Sequence, residues 1–302
     1  MITTCKGFSL RLKGNSLTLP SKVKIQLNNF LLKKIKGNDL RSVTISSGGI
    51  SITFAKQVND VKCGGVIGID TNLESVTYAE TSGNIKRLSM RHIVQTKQRY
   101  REVKRHLKRN DARIRKEIFS KYGKLQADKC QTEIHKITAR IVKHARKNNL
   151  AIALEDIKGI RKLYRKGNGQ GKDFRSRLNA WAFGEFQRQL DYKAKLSGLP
   201  VIYVKASGSS AKCSTCGDKT FAEENRKLYC PTCKRRVDRD ENASINIRNR
   251  GFEKLFSMRF EPCGLSGEAV KGNPMKKERM TEVILQVDGS QLSTSGRNEL
   301  TT

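Results

Sequence analysis

Two cysteine pairs, Cys213-x2-Cys216 and Cys230-x2-Cys233, constrain this chain more than any other feature of its sequence. A C-x2-C pair forms a tight knuckle whose thiolates converge, and two knuckles make a closed tetrahedral site for Zn²⁺. Such a site supplies on the order of 10 kcal/mol of folding free energy to a segment too small for its own core. Four thiolates leave no open coordination position, so the role read here is structural. An iron–sulfur site or a redox pair would use the same residues, but the spacing and a reducing context favour zinc. The other four cysteines, Cys5, Cys63, Cys130 and Cys263, stand singly, which is not the layout of a disulfide framework.

The chain around this segment is strongly basic. Lys and Arg number 61 against 28 acidic residues, giving a net charge of +33 and a pI near 10.1. Charge of one sign at this density repels itself in a folded state unless a polyanion neutralises it. Nucleic acid is the usual one, and an anionic membrane surface is the other candidate. No stretch approaches the roughly 18–20 apolar residues of a membrane helix. The start, MITTCKGFSLRLKGN, lacks the apolar core of a signal peptide. A cytoplasmic protein with no membrane partner is therefore expected. The densest cations, Lys97, Arg99, Arg101, Lys104, Arg105, Lys108, Arg109 and Arg113, fall all round a predicted helix over 92–122 that has few acids, so it is expected to contact phosphates.

Residues 8–55 alternate polar and apolar in short runs, which predicts antiparallel strands in a β-rich module over 1–60. From Val66 the pattern changes. VIGID is an apolar run suited to a strand buried on both faces, and two further strands follow at hairpin spacing across Ser82-Gly83-Asn84. The basic helix and a second helix over about 131–148 precede LAIALE, another buried strand. A glycine-rich loop at 167–173 opens a helix with Leu178, Ala182, Phe186 and Leu190 at four-residue spacing, and VIYV makes one more strand. After the cysteines, DENASINIRNRG reads as a helix. Residues 263–302 are polar and are expected to be disordered. The order β-β-β-α-α-β-α-β-(cysteines)-α over 64–250 is that of an α/β fold with a ribonuclease H-like mixed sheet.

Carboxylates are scarce, so their positions at the ends of strands matter. Asp70 closes VIGID, Glu155 closes LAIALE and Asp240 opens the last helix. In the sheet order above, the first and fourth strands are neighbours and the last helix crosses their ends, which brings the three acids together. Three uncompensated carboxylates raise one another's pKa, so the cluster makes sense with cations between them. Oxygen ligands suit Mg²⁺ or Mn²⁺, and two such ions can drive phosphodiester cleavage. Each acid taken alone reads better as a solvated strand end, or for Asp240 as a first-turn acid favoured by the helix dipole; taken together on this topology the three favour a metal site.

GIDTN around Asp70, IALEDIKGI around Glu155, LNAWAFGEFQRQLDYKAKLSGLPVIYV at 178–204 and CSTCG…CPTCKRRVDRDENASINI at 213–247 together resemble the TnpB (OrfB-type) proteins of insertion sequences, relatives of the type V CRISPR effector nucleases. The resemblance spans about residues 60–265. It implies an RNA-guided DNA endonuclease with a RuvC-type domain, in which Asp70, Glu155 and Asp240 are the catalytic, magnesium-holding acids and the four cysteines bind zinc. Guide RNA and target DNA are the implied partners. The implied layout is a partial wedge-like barrel at 1–60, a nuclease core at 61–210 with a basic helical pair at 90–149, the ribbon at 211–236 and the final core helix at 237–262. Asn72 and Lys234 stand where the family commonly has glycine, and Gly208 where it commonly has tyrosine. The helical recognition module that normally precedes the core is not visible. A non-cleaving, nucleic-acid-binding regulator of transposition is the alternative.

Overall fold

Period-two alternation in the first sixty residues yields strands with one exception. In the computed structural model, residues 3–6, 11–19, 24–46, 49–107, 111–157, 160, 169, 171–260 and 280–288 are described. The strands are β1 (Thr3–Lys6), β2 (Arg11–Lys13), β3 (Ser16–Thr18), β4 (Lys24–Gln26), then β5 (Asp39–Ser46) and β6 (Gly49–Asn59). The exception is helix α1 (Asn29–Ile35). Asn28 caps it by accepting the Leu31 N–H at 2.9 Å, and Leu31 and Ile35, four apart, bury its inner face. Strands β2, β3 and β4 form a small antiparallel sheet. Leu17, Leu31, Val43, Ile52 and Phe54 lie in one core.

The next elements are β7 (Gly65–Thr71), β8 (Ser75–Glu80), β9 (Ile85–Ser89), α2 (Arg91–Arg105), α3 (Phe119–Lys147), β10 (Leu150–Asp156), α4 (Lys172–Asn179), α5 (Phe183–Leu196), β11 (Val201–Lys205), β12 (Phe221–Ala222), β13 (Lys227–Cys230), β14 (Arg235–Asp238) and α6 (Arg239–Phe260). Five strands form a mixed sheet in the order β11-β10-β7-β8-β9. β10 is parallel to both β7 and β11, while β7, β8 and β9 form an antiparallel meander. The first and fourth strands of this region are neighbours, as their order predicts. β7 is buried along its whole length.

Small residues decide where α6 lies. A Cβ at Gly68 would come within 2.2 Å of the Arg248 backbone nitrogen and 2.4 Å of the Ser244 carbonyl oxygen. A Cβ at Gly251 would stand 2.4 Å from that of Ala153. Helix and strand backbones are therefore in near contact across β7 and β10. Alternation along each strand then sends Asp70 to the face of Gly68, and Glu155 to the face of Ala153, so both acids lie on the α6 side. Ile67, Ile69, Ile152 and Leu154 point away from α6 into the core.

Three expectations change. The long basic helix is split: Asp111 Oδ1 accepts the N–H groups of Arg113 and Ile114, at 2.8 and 3.1 Å, and starts a new helix. That helix passes through a π-helical stretch, Ile114–Ile118, into α3, well before residue 131. The helix after the glycine loop is two helices, because Ala182 leaves helical dihedral angles; at the break Trp181 packs against Phe183 with ring centroids 4.8 Å apart and the rings tilted by 53°. The tail expected to be disordered supplies strand β15 (Met280–Asp288), which pairs antiparallel with β6 and completes the sheet β1-β5-β6-β15. Its run TEVILQV places Val283, Leu285 and Val287 at alternate positions, a strand pattern that the polar composition around it obscures. Residues 1–59 with 277–302 form one unit and residues 60–276 the other. Among the described residues, no helix is long and apolar enough to cross a membrane.

Candidate active site and metal centre

The three acids are brought together in charge. Asp70 is 9 % exposed and Asp240 3 %. Burial, then the charges of Glu155 and Asp240, push the Asp70 carboxyl up to about 7; hydrogen bonding from Asn72 and the Arg226 charge oppose this. Burial also raises Glu155, against a Ser209 hydrogen bond and the Arg250 charge. The end of β10 is fixed from α5, where Gln187 Nε2 donates to the Glu155 backbone carbonyl at 2.8 Å.

Asp240 is placed by its neighbours. Asp238 Oδ1 accepts the backbone N–H groups of Asp240 and Glu241, at 2.9 and 3.1 Å, and caps α6. Asp238 therefore acts as a cap, and it also pairs with Arg87 at 2.6 Å. The Asp240 carboxylate itself meets two guanidinium groups: Arg226 contacts Oδ1, and Arg87 lies 3.4 Å from Oδ2. Asn72 links the two halves of the site, donating to Asp70 Oδ2 at 2.7 Å and accepting from Arg226 at 3.1 Å. Arg226 carries no local signal in the sequence, and Asn72 stands out there only as a departure from the family's usual glycine, two residues beyond Asp70.

Arg226 comes from the ribbon, at the end of the turn between β12 and β13. It and Asn225 both have positive φ, 62° and 56°. Non-glycine residues in this region cost about 1–2 kcal/mol each, and strain of this kind clusters where a side chain must be aimed. The ribbon is tied to α6 by Asn242, which accepts from the Ser214 N–H at 2.8 Å and donates to the Lys212 carbonyl at 2.7 Å.

The four cysteine sulfurs all lie within 4.8 Å of one another. Cys213 and Cys233 are 3.9 Å apart, and Cys216 and Cys230 are 3.5 Å apart. Four sulfurs each about 2.3 Å from a central ion would stand roughly 3.8 Å from one another, so the thiolates fit a tetrahedral zinc. Each knuckle ends in a left-handed residue, Gly217 at φ 80° and Lys234 at φ 51°. The lysine thus occupies a conformation that favours glycine. Among the described residues no second group of metal-ligating side chains converges as closely. The carboxylates form a looser set of hard oxygen donors, of the kind that suits Mg²⁺ or Mn²⁺.

The basic helix is more engaged than its sequence implies. Lys97 donates to the Ala180 carbonyl at 2.8 Å and Lys104 to Gln126 at 3.0 Å. Arg101 pairs with Asp173, Arg105 with Glu102 and Arg113 with Glu117. Arg99 is exposed and lines a groove with Tyr100 and Lys129. Lys108 and Arg109 lie outside the described residues, as do residues 167, 168 and 170 of the glycine-rich loop. His144, in the last turn of α3, places its Nε2 2.6 Å from the buried Glu80 carboxylate.

Comparison with known proteins finds relatives of this chain. The family model for the Cas12f1-like TNB domain matches residues 183–247, which hold the four cysteines and Asp240. A TnpB-like protein of Methanocaldococcus jannaschii is 31 % identical over 214 residues, covering 68 % of this chain and 76 % of that protein. A CRISPR-associated endodeoxyribonuclease, Cas12f2, of a Micrarchaeota archaeon is 29 % identical over 127 residues, which cover 39 % of this chain but only 23 % of that protein. A Cas12f1 chain, solved in complex with sgRNA and target DNA, aligns with a TM-score of 0.47 and 17 % identity over 82 % of this chain and 67 % of that one.

Proposed function

This chain belongs to the TnpB family, whose kin include the type V effectors, and from that premise we propose that it is an RNA-guided, metal-dependent DNA endonuclease of an insertion sequence that hydrolyses phosphodiesters at a RuvC-type site. The observation that carries the reading is the meeting of Asp70, Glu155 and Asp240, with Asp70 pushed to about 7 by burial and by the other two charges. Carboxylates crowded in this way are stabilised by divalent cations. The sheet order, with the last helix laid across β7 and β10, supports a ribonuclease H-like core. The name of the Cas12f2 relative supports DNA as the substrate. The net charge of +33 supports nucleic acid partners, a guide RNA and a target DNA.

Asp70, Glu155 and Asp240 would hold Mg²⁺ or Mn²⁺, which when bound supplies an activated water and neutralises charge on the leaving oxygen. The protein's own groups do the positioning. Asn72 orients the Asp70 carboxylate and the Arg226 guanidinium together. Arg226 and Arg87, now on Asp240, are charged forks of the kind that grip phosphate oxygens once the carboxylate is neutralised otherwise. The ribbon is structural, and its turn delivers Arg226.

The test incubates the protein with the RNA that co-purifies with it, a DNA target matched to that RNA, and Mg²⁺. Wild type is expected to cut the target, and Asp70→Ala, Glu155→Ala and Asp240→Ala to leave it intact. Cleavage that survives Asp70→Ala or Asp240→Ala would sink the assignment.

A further inference from the structure

A stripe of apolar residues lies open beside the acids. Phe174 and Leu178 of α4 are four residues apart and share a face, and Trp181 follows at the break before α5. Phe174 is 51 % exposed. With Leu73, Asn72 and Arg226 these side chains line a cleft of about 280 Å³. A second, more polar groove of about 550 Å³ runs past Arg87, Arg91 and Asp240. The two share Asn72, Leu73 and Arg226 as a common wall. Asn72 and Arg226 are also the residues bonded to Asp70 and Asp240.

A cation-lined groove that meets an aromatic cleft at one wall is the arrangement that binds a single strand: arginines follow the phosphates while a π-face takes the base. We propose that this cleft is a nucleobase subsite, in which Phe174, Leu178 and Trp181 seat one unpaired base of a nucleic-acid strand whose phosphates pass Arg87, Arg91 and Arg226. A protein partner is disfavoured, because the cleft is small and its rim carries a guanidinium and an amide continuous with the acidic site. Stacking on aromatic faces tolerates any base, so the subsite fixes position and not sequence. Its placement beside a reacting phosphate rests on the nuclease reading, but binding of the base does not.

Trp181 is the chain's only tryptophan, so its emission reports on this cleft alone. The experiment titrates the full chain with a twelve-residue oligothymidylate, and with an abasic backbone of equal length, with no divalent cation added and at fixed salt. Overall binding is followed in parallel by anisotropy. Oligothymidylate is expected to quench Trp181 saturably, while the abasic strand binds without quenching. Phe174→Ala should weaken the quenching titration roughly 5- to 150-fold, and Phe174→Tyr should restore it. Equal quenching by the abasic strand, or an unchanged titration in Phe174→Ala, would overturn the proposal. No cleavage enters this readout. A chain that quenches as expected but fails to cut in Mg²⁺ therefore refutes the nuclease reading and keeps the subsite; a chain that cuts but shows no base-dependent quenching does the reverse.

Discussion

Asp70 titrates near 3.8 in an unfolded chain and near 7 in the native one. Between those values the native protein still holds a proton that the unfolded chain has lost, so stability falls as pH rises through the window and levels off above it. Glu155, also raised, acts in the same direction. With no divalent cation present, urea denaturation is expected to give a lower unfolding free energy at pH 7 than at pH 5, by about 2 kcal/mol from Asp70. Asp70→Asn should remove most of that difference; a difference left intact would mean the carboxyl is not crowded. At this scale the acids and cysteines are legible in the sequence because scarcity, strand ends and fixed spacing mark them. Asn72 and Arg226 are not. They meet across 154 positions, and no local pattern announces that a turn in the ribbon will reach the end of β7.

Helix α6 and the ribbon are where packing sets the site. Gly68→Ala would drive a methyl group into the backbone of α6, with no flexible side chain to yield. The expected loss is about 1–3 kcal/mol or more, read as a lower denaturation midpoint, together with weaker cleavage as Asp240 shifts; an unchanged midpoint would refute the close approach. Cys216→Ser opens the thiolate cage. Bound zinc, measured by elemental analysis, should fall from one per chain towards none, with loss of on the order of 10 kcal/mol of metal-linked folding energy in the ribbon. Retention of full zinc would show that three thiolates suffice. Helices were harder to bound than strands. The start of the second basic helix rests on an Asp111 cap inside a run of cations, and α1 on an Asn28 cap inside a stretch of alternating residues. In both places a short capping signal lay within a longer pattern of another kind.

Across the whole chain, the net charge of +33 sets what the proposed binding of nucleic acid should depend on. If six to ten phosphates are contacted, affinity for the co-purifying RNA should fall about 10³- to 10⁵-fold between 50 and 200 mM salt. A shallow salt slope would mean that few of the 61 cations touch phosphate. The ion pairs along α2 already remove some of its cations from that number. The sheet order was legible here because β-β-β-α-α-β-α-β admits few arrangements, whereas β15 was not, since its partner strand lies more than two hundred residues away.

That distance has a consequence for biosynthesis. The sheet β1-β5-β6-β15 takes its last strand from residues 280–288, which leave the ribosome only after all of residues 60–276. At 5–20 residues per second the edge of β6 waits on the order of 10–50 s for its partner. Through that interval its unpaired backbone is open to any strand that passes, a neighbouring nascent chain on the same message included.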